Sequence, residues 1–359
     1  MRSAGAATCA LLALATPTFA SGSPHSVASA VAGSWAATAS MSVARAHLTA
    51  TRLANGRVLV VGGVGESTTE LYDPPTGSWI PGGTLNQPRG LHIAVRLADG
   101  RVLVAGGGSY TASAELYDPA TNQWTPTGSM NVDRYGFTAT LLRDGRVLVV
   151  GGQSLSGVQA SAELYDPATG RWTPTGSLRT PRKNHTATLL ADGTVLVVGG
   201  FNADGWLRSA ERYDPGSGRW RRVAPMATAR EGANATLLGD GRLLVAGGGN
   251  PSALRSAELY DPASGKWSPT GSMTGYGGTA ALLQDGRVLV AGYENEGEIY
   301  SPATGTWTAT GPVVNAGLSG RAAALLPNGQ VLYVGGERFS CGVKQCFYDP
   351  SAAAELYTP

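Results

Sequence analysis

Arginine and glutamate return along this chain at regular intervals, and together they could do one of two things. The arginines are Arg45, Arg89, Arg134, Arg182 and Arg230, and the glutamates are Glu70, Glu115, Glu163, Glu211, Glu258, Glu298 and Glu355. Guanidinium groups gathered around one mouth would bind a carboxylate, a phosphate or an acidic sugar, because each offers a flat fork of donors. The same groups could instead neutralise the glutamates inside the fold, since a buried carboxylate needs a partner. Recurrence in unit after unit favours the second role. Whether the arginine heads reach hydrogen-bond distance of the glutamates decides between them.

The other reactive side chains are few. His47, His92 and His185 hold near-equivalent places, and Phe137 fills that place in another unit. Phenylalanine can replace a packed imidazole but not a ligating one, so packing is the expected role. Cys341 and Cys346 stand close together. In an oxidising compartment they would close a small disulfide loop, and two cysteines alone lack the remaining ligands of a zinc site. Tyr110, Tyr135, Trp206, Tyr276, Tyr293 and Phe339 depart from the repeating pattern. Exposed rings of this kind suit sugar stacking or a protein hot spot. No nucleophile motif, phosphate loop or dinucleotide fingerprint is present: the glycine triplets at Gly106–Gly108 and Gly247–Gly249 end strands without opening a helix.

Composition limits the partners. Among 359 residues, 51 are Gly and 21 are Pro, only 14% are charged, and 42% are hydrophobic. That is the profile of a turn-rich all-β protein. The net charge is +2 with no basic tract, which argues against nucleic acid and anionic membrane. Met1–Ala20 reads as a secretory leader: Arg2 supplies the basic start, Ala4–Ala15 the apolar run, and Thr18-Phe19-Ala20 the cleavage site. The run is too short to span a bilayer, and Cys9 would leave with it. Ser21–Ala32 is a polar, small-residue lead-in, expected to be disordered.

What must position these residues is a repeat. Four landmarks recur in order. Asn-Gly or Asp-Gly comes first, as at Asn55-Gly56 and Asp144-Gly145. A glycine pair follows seven residues later, as at Gly62-Gly63 and Gly151-Gly152, with Gly292-Tyr293 the exception. Glu-x-Tyr is third, with tyrosines at 72, 117, 165, 213, 260, 300 and 357, and a Trp stands seven residues after each of the first six. Each unit should fold as four strands. The Asp-Gly step signals a two-residue type I′ hairpin, the Val/Leu run after it a strand buried on both faces, and Glu-Leu-Tyr a short third strand. Pro81, Pro126, Pro174 and Pro269 sit two residues beyond a Trp, so the fourth strand should be an outer edge, because proline cannot donate to a ladder. Seven such sheets packed radially bury both faces of each. The last unit lacks its Trp-bearing strand, whereas Gly33–Thr38 carries a spare one at Trp35. That strand should pair with the C-terminal three and close the ring.

The glycine pairs, the spaced Tyr and Trp and the period of these units resemble kelch repeats, and the resemblance covers residues 33–359. It implies a single seven-bladed β-propeller. It is weak on function, because kelch propellers include enzymes, glycan binders and protein-interaction scaffolds. Galactose oxidase, a copper radical enzyme of this superfamily, would need a Tyr–Cys thioether, a second Tyr and two His on one metal. No residues here match that set, so no cofactor is expected, copper included. A sialic acid mutarotase would want a pore carboxylate beside the arginines, and none is evident. The loop between the second and third strands varies most: four residues after Tyr293, ten after Gly200 and eighteen after Gly336. These loops share one face with the connections between units, which is how a binding surface on a rigid disc looks. The expectation is an exported, non-catalytic, monomeric binding propeller that recognises a glycan or a protein through this face. A carbohydrate-active kelch enzyme, copper oxidase-like or mutarotase-like, is the alternative.

Overall fold

The computed structural model describes residues 33–108, 110–292, 295–341 and 346–359. The expected leader and lead-in, with Cys9, and the candidate Tyr293 lie outside the described residues.

Seven four-stranded antiparallel sheets follow one another along the chain. We number them as blades 1 to 7, the first six spanning residues 49–84, 93–127, 138–175, 186–223, 234–270 and 278–312. In blade 3 the order from axis to rim is Thr138–Leu141, Val147–Val150, Ala162–Asp166 and Arg171–Thr175, which is also the order in the chain. The inner strands of neighbouring blades touch one another all the way round the axis. Their Thr and Ala side chains are small enough for that crowding. Every residue of the second strand is buried in all seven blades, as expected of Val/Leu runs without a polar face. The outer strands carry Pro81, Pro126, Pro174 and Pro269 where no further strand asks for a donor.

The inner hairpin differs in type from the expectation. In blade 1 the Leu53 N–H donates to Arg57 O at 2.8 Å and the Gly56 N–H to Leu53 O at 3.1 Å, and the pattern recurs at Leu97, Leu142, Leu190, Leu238, Leu283 and Leu326. Three residues therefore form the loop. Only the glycine is left-handed, with φ between 85° and 91°, and the preceding Asn or Asp is not. A type I turn followed by a left-handed glycine replaces the type I′ turn. The Asn or Asp instead caps the turn, its Oδ1 accepting from the N–H two residues on, as Asp144 does from Arg146 at 3.0 Å.

Blades are held to each other by apolar clusters and by tryptophan. Seven buried clusters each draw on two adjacent blades; one sets Val58, Val60 and Tyr72 of blade 1 against Leu332, Val334 and Ala354 of blade 7. Each fully buried Val or Leu contributes about 1.5–3 kcal/mol, so this packing dominates stability. The repeated Trp stacks on its own Tyr, as Trp172 on Tyr165 at 4.9 Å. Its Nε1 donates to the preceding blade: Trp79 to Ala39 O, Trp172 to Gly128 O and Trp220 to Gly176 O, at 2.6–2.7 Å.

Closure follows the expected exchange of termini. Ser34–Ala37 pairs antiparallel with Ala354–Thr358, setting Trp35 opposite Tyr357, and completes blade 7 with Val331–Val334 and Ala322–Leu325. Trp35 then makes the same reach to the preceding blade, donating to Thr310 Oγ1 at 2.9 Å.

Candidate functional site

The loops from outer strand to next inner strand, here called approach loops, share one face with the second-to-third loops. Short bridges tie the two sets together, Tyr135 to Gln153, Lys183 to Phe201, Glu231 to Gly249 and Ser319 to Glu337. In blades 3, 4, 5 and 7 the second-to-third loop rises as a hairpin of its own: Gln153–Ser154 with Gly157–Val158, Phe201–Asn202 with Gly205–Trp206, Gly249–Asn250 with Ser252–Ala253, and Glu337–Cys341 with Cys346–Pro350. The backbone register of the last sets Cys341 directly opposite Cys346.

Beneath this face lie the repeated arginines, and they are not on offer to a ligand. Arg45, Arg89, Arg134, Arg182 and Arg230 are 0–1% exposed. Each directs Nη2 to the glutamate of its blade at 3.0–3.1 Å: Glu70, Glu115, Glu163, Glu211 and Glu258. Each Nη1 caps the carbonyl of the first glycine of the pair, at 2.6–2.9 Å, and the carbonyl of the Thr or Ser two residues before the glutamate. The glutamate in turn accepts approach-loop N–H groups, as Glu163 does from Asn131 at 2.7 Å and Val132 at 3.3 Å. Burial lowers the pKa of Arg134, Arg182 and Arg230, and the adjoining glutamates oppose that. The cationic rim expected as one possibility is thus a set of internal staples pinning each approach loop to its blade. In blade 7 the sequence pattern hides the equivalent: Arg321, three places further on, swings back to Glu355.

The histidines divide. His92 and His185, like Phe137, stand three residues after their arginine and are buried, each Nε2 within 2.9 Å of a threonine hydroxyl of the preceding blade, Thr49 or Thr138. Burial first, and then the neighbouring Arg89 or Arg182 charge, pulls both to a pKa of about 3, so both are neutral. His47 is not their equivalent. It sits one place earlier, at a left-handed position (φ 56°) shared with Leu91, Gly136, Asn184, Gly232 and Gly320, and its Nε2 meets Glu337 Oε1 at 3.0 Å. Among the described residues no three His, Cys, Asp or Glu side chains converge as metal ligands. The three histidines are committed to separate blades, and the set does not fit a copper centre.

The five aromatic candidates among the described residues do reach the loop face, and three of them join up. Tyr110 packs edge-on to Tyr135, 5.3 Å between centroids. The Tyr135 backbone bridges Gln153, whose Oε1 accepts from Lys183 Nζ at 3.3 Å. Lys183 lies 5.9 Å over the Phe201 ring, and Phe201 meets Trp206 edge-on at 5.4 Å. Trp206, 37% exposed, donates Nε1 to Glu231 Oε1 at 3.1 Å, and Glu231 Oε2 accepts from Asn184 at 2.9 Å. A continuous aromatic and polar strip therefore crosses blades 2 to 5. Tyr110 is held with φ 50°, rare for a residue with a side chain. Two candidates stand apart. Tyr276 lies beneath the Arg255 guanidinium at 4.5 Å, and Phe339 stacks on Tyr348 at 4.9 Å on the blade 7 hairpin, with 55% and 60% of these two residues exposed. Lys183, Glu231 and Tyr348 were not singled out from the sequence. Alignment of the loops on the glycine pairs would have exposed them as departures.

The comparisons agree with this architecture. The chain is similar to a solved structure, a fungal alcohol oxidase of the AA5 family in complex with copper, with a TM-score of 0.74 at 22% identity over 91% of this chain and 76% of that one. At that identity the likeness is one of fold. No curated protein sequence matches the chain. The KLHDC2/KLHL20/DRC7 Kelch-repeats domain matches residues 91–292, more than half of the sequence. With seven blades of one repeating pattern, six of them stapled by an arginine–glutamate pair, the chain belongs to the kelch-repeat family.

Proposed function

We propose that this chain is an exported, non-catalytic binding propeller that takes a protein partner on its loop face. The observation that carries this is the strip from Tyr110 to Glu231, where the exposed rings of Tyr110 and Trp206 and the half-buried rings of Tyr135 and Phe201 alternate with a lysine, a glutamine and a glutamate across four blades. Rigid rings with polar neighbours supply contact area at small entropic cost, as hot spots do. Kelch propellers are generally protein-interaction domains, which supports the choice of partner. A glycan is the second reading, favoured by Trp206, whose indole stands half-exposed and is held in place by Phe201 and Glu231. A leader over Met1–Ala20, a Cys341–Cys346 disulfide, a monomeric state and the lack of a cofactor complete the proposal.

The test compares the intact mature chain with a Tyr110→Ala/Trp206→Ala variant. Both are screened against secreted and surface proteins of the producing cell and against a glycan array. The variant should keep its melting temperature and lose the ligand by tenfold or more. If a ligand binds both proteins equally, the strip is not its site.

A further inference from the structure

Blade 6 breaks the staple. Its glutamate is in place: Glu298, 6% exposed, accepts from the Thr274 N–H at 2.9 Å and the Gly275 N–H at 2.7 Å, as its counterparts accept from theirs. The arginine is not. Counting on from the buried Met or Leu that opens each approach loop, Leu85 leads to Arg89, Met130 to Arg134, Leu178 to Arg182 and Met226 to Arg230, but Met273 leads to Gly277. Among the described residues no cation lies within ion-pair distance of Glu298, whereas the glutamates of the other six blades each hold a guanidinium.

Beside Glu298 lies a cavity of about 210 Å³, lined by Arg255, Thr274, Gly275, Asn295, Glu296 and Glu298. Glu296 stands where the other blades carry the Thr or Ser that accepts from the arginine, so two carboxylates converge where one carboxylate and one hydroxyl suffice elsewhere. Arg255 lines the same cavity, but its guanidinium lies over Tyr276 and, among the described residues, makes no ion pair with either carboxylate. The cavity is smaller than a pocket for a drug-sized molecule, about 300 Å³ or more, and suits a single side chain.

We infer that this cavity is a socket for a guanidinium group supplied from outside, the arginine side chain of a polypeptide. The incoming group would take the bonds that Arg230 makes in blade 5, its fork meeting Glu298 and Glu296. A lysine ammonium matches the charge but not the fork, and citrulline matches the shape but not the charge. The socket lies at blades 5 and 6, outside the strip from Tyr110 to Glu231, and does not depend on that strip binding anything.

Three acetylated and amidated tripeptides, Gly-Arg-Gly, Gly-Lys-Gly and Gly-citrulline-Gly, test this by calorimetry and by chemical-shift perturbation on the mature chain. The arginine peptide should bind about tenfold or more tighter than either control, and Glu296→Gln, at an exposed position, should weaken it by a similar factor. Gly277→Arg should fill the socket from within. A Cβ there meets nothing nearer than 4.0 Å and the backbone is not left-handed, so the variant should fold, melt higher and no longer bind the peptide. Trp206→Ala should leave peptide affinity unchanged, which separates failure of the socket from failure of the strip. Equal binding of the three peptides, or unchanged binding in Glu296→Gln, would overturn the inference.

Discussion

The staple between approach loop and blade makes a demanding prediction in Arg134→Met. The substitution keeps most of the stem's apolar bulk and removes four hydrogen bonds: Nη1 to Gly151 O at 2.7 Å and Ser161 O at 3.0 Å, Nη2 to Ser161 Oγ at 2.8 Å and Glu163 Oε1 at 3.0 Å. It leaves Glu163, itself buried, with only the Asn131 and Val132 donors. Breaking a buried pair from one side costs about 3–5 kcal/mol, because the remaining charge stays desolvated. Replacing both partners, as Arg134→Met with Glu163→Gln, should cost clearly less than the sum of the single changes. Urea titration followed by tryptophan fluorescence reads the loss as a lower midpoint. Hydrogen exchange should place the first opening at residues 131–137. A single-variant loss under about 1 kcal/mol, the value of an exposed ion pair, would show that the arginines are not structural staples, and the account of this face would fail with them.

Two further outcomes follow from the same structure. His92 and His185 have folded-state pKa values of about 3 against an ordinary 6.5. The unfolded chain therefore binds more protons between these limits, and stability that is fully present above pH 6.5 drains away as pH falls toward 3. His92→Phe/His185→Phe, imitating Phe137, should flatten the melting temperature between pH 7 and pH 4, and an unchanged slope would refute the assignment. At the seam, Trp35→Ala removes the bond to Thr310 and the ring contacts with Tyr333 and Tyr357, and should cost about 3 kcal/mol, with exchange rising first in residues 34–37 and 354–358. Uniform exchange around the ring would mean that the seam is no weaker than any other joint.

Much of this was legible beforehand because a repeat exposes its own logic. Seven tyrosines counted seven blades, the prolines marked the outer edge, and the spare Trp-bearing segment at Trp35 foretold how the ring closes. The turn type was misjudged because Asn-Gly and Asp-Gly serve both two-residue and three-residue loops, and the backbone pairing of Leu53 with Arg57 alone tells them apart. Counted from its arginine, His47 stands one place earlier than His92 and His185, and that offset, at a left-handed position, turns the ring from the packed interior to Glu337.

The linear text determined the architecture, since strand, turn and edge preferences are local, the turn signal written seven times and the edge proline four. What each charge does was decided only by three-dimensional packing. An arginine reads the same whether it faces water or a glutamate 25 or 29 residues away, and desolvation, which separates the two, depends on everything folded around it. The same packing showed that one glutamate of the seven, Glu298, was left beside a cavity rather than a guanidinium.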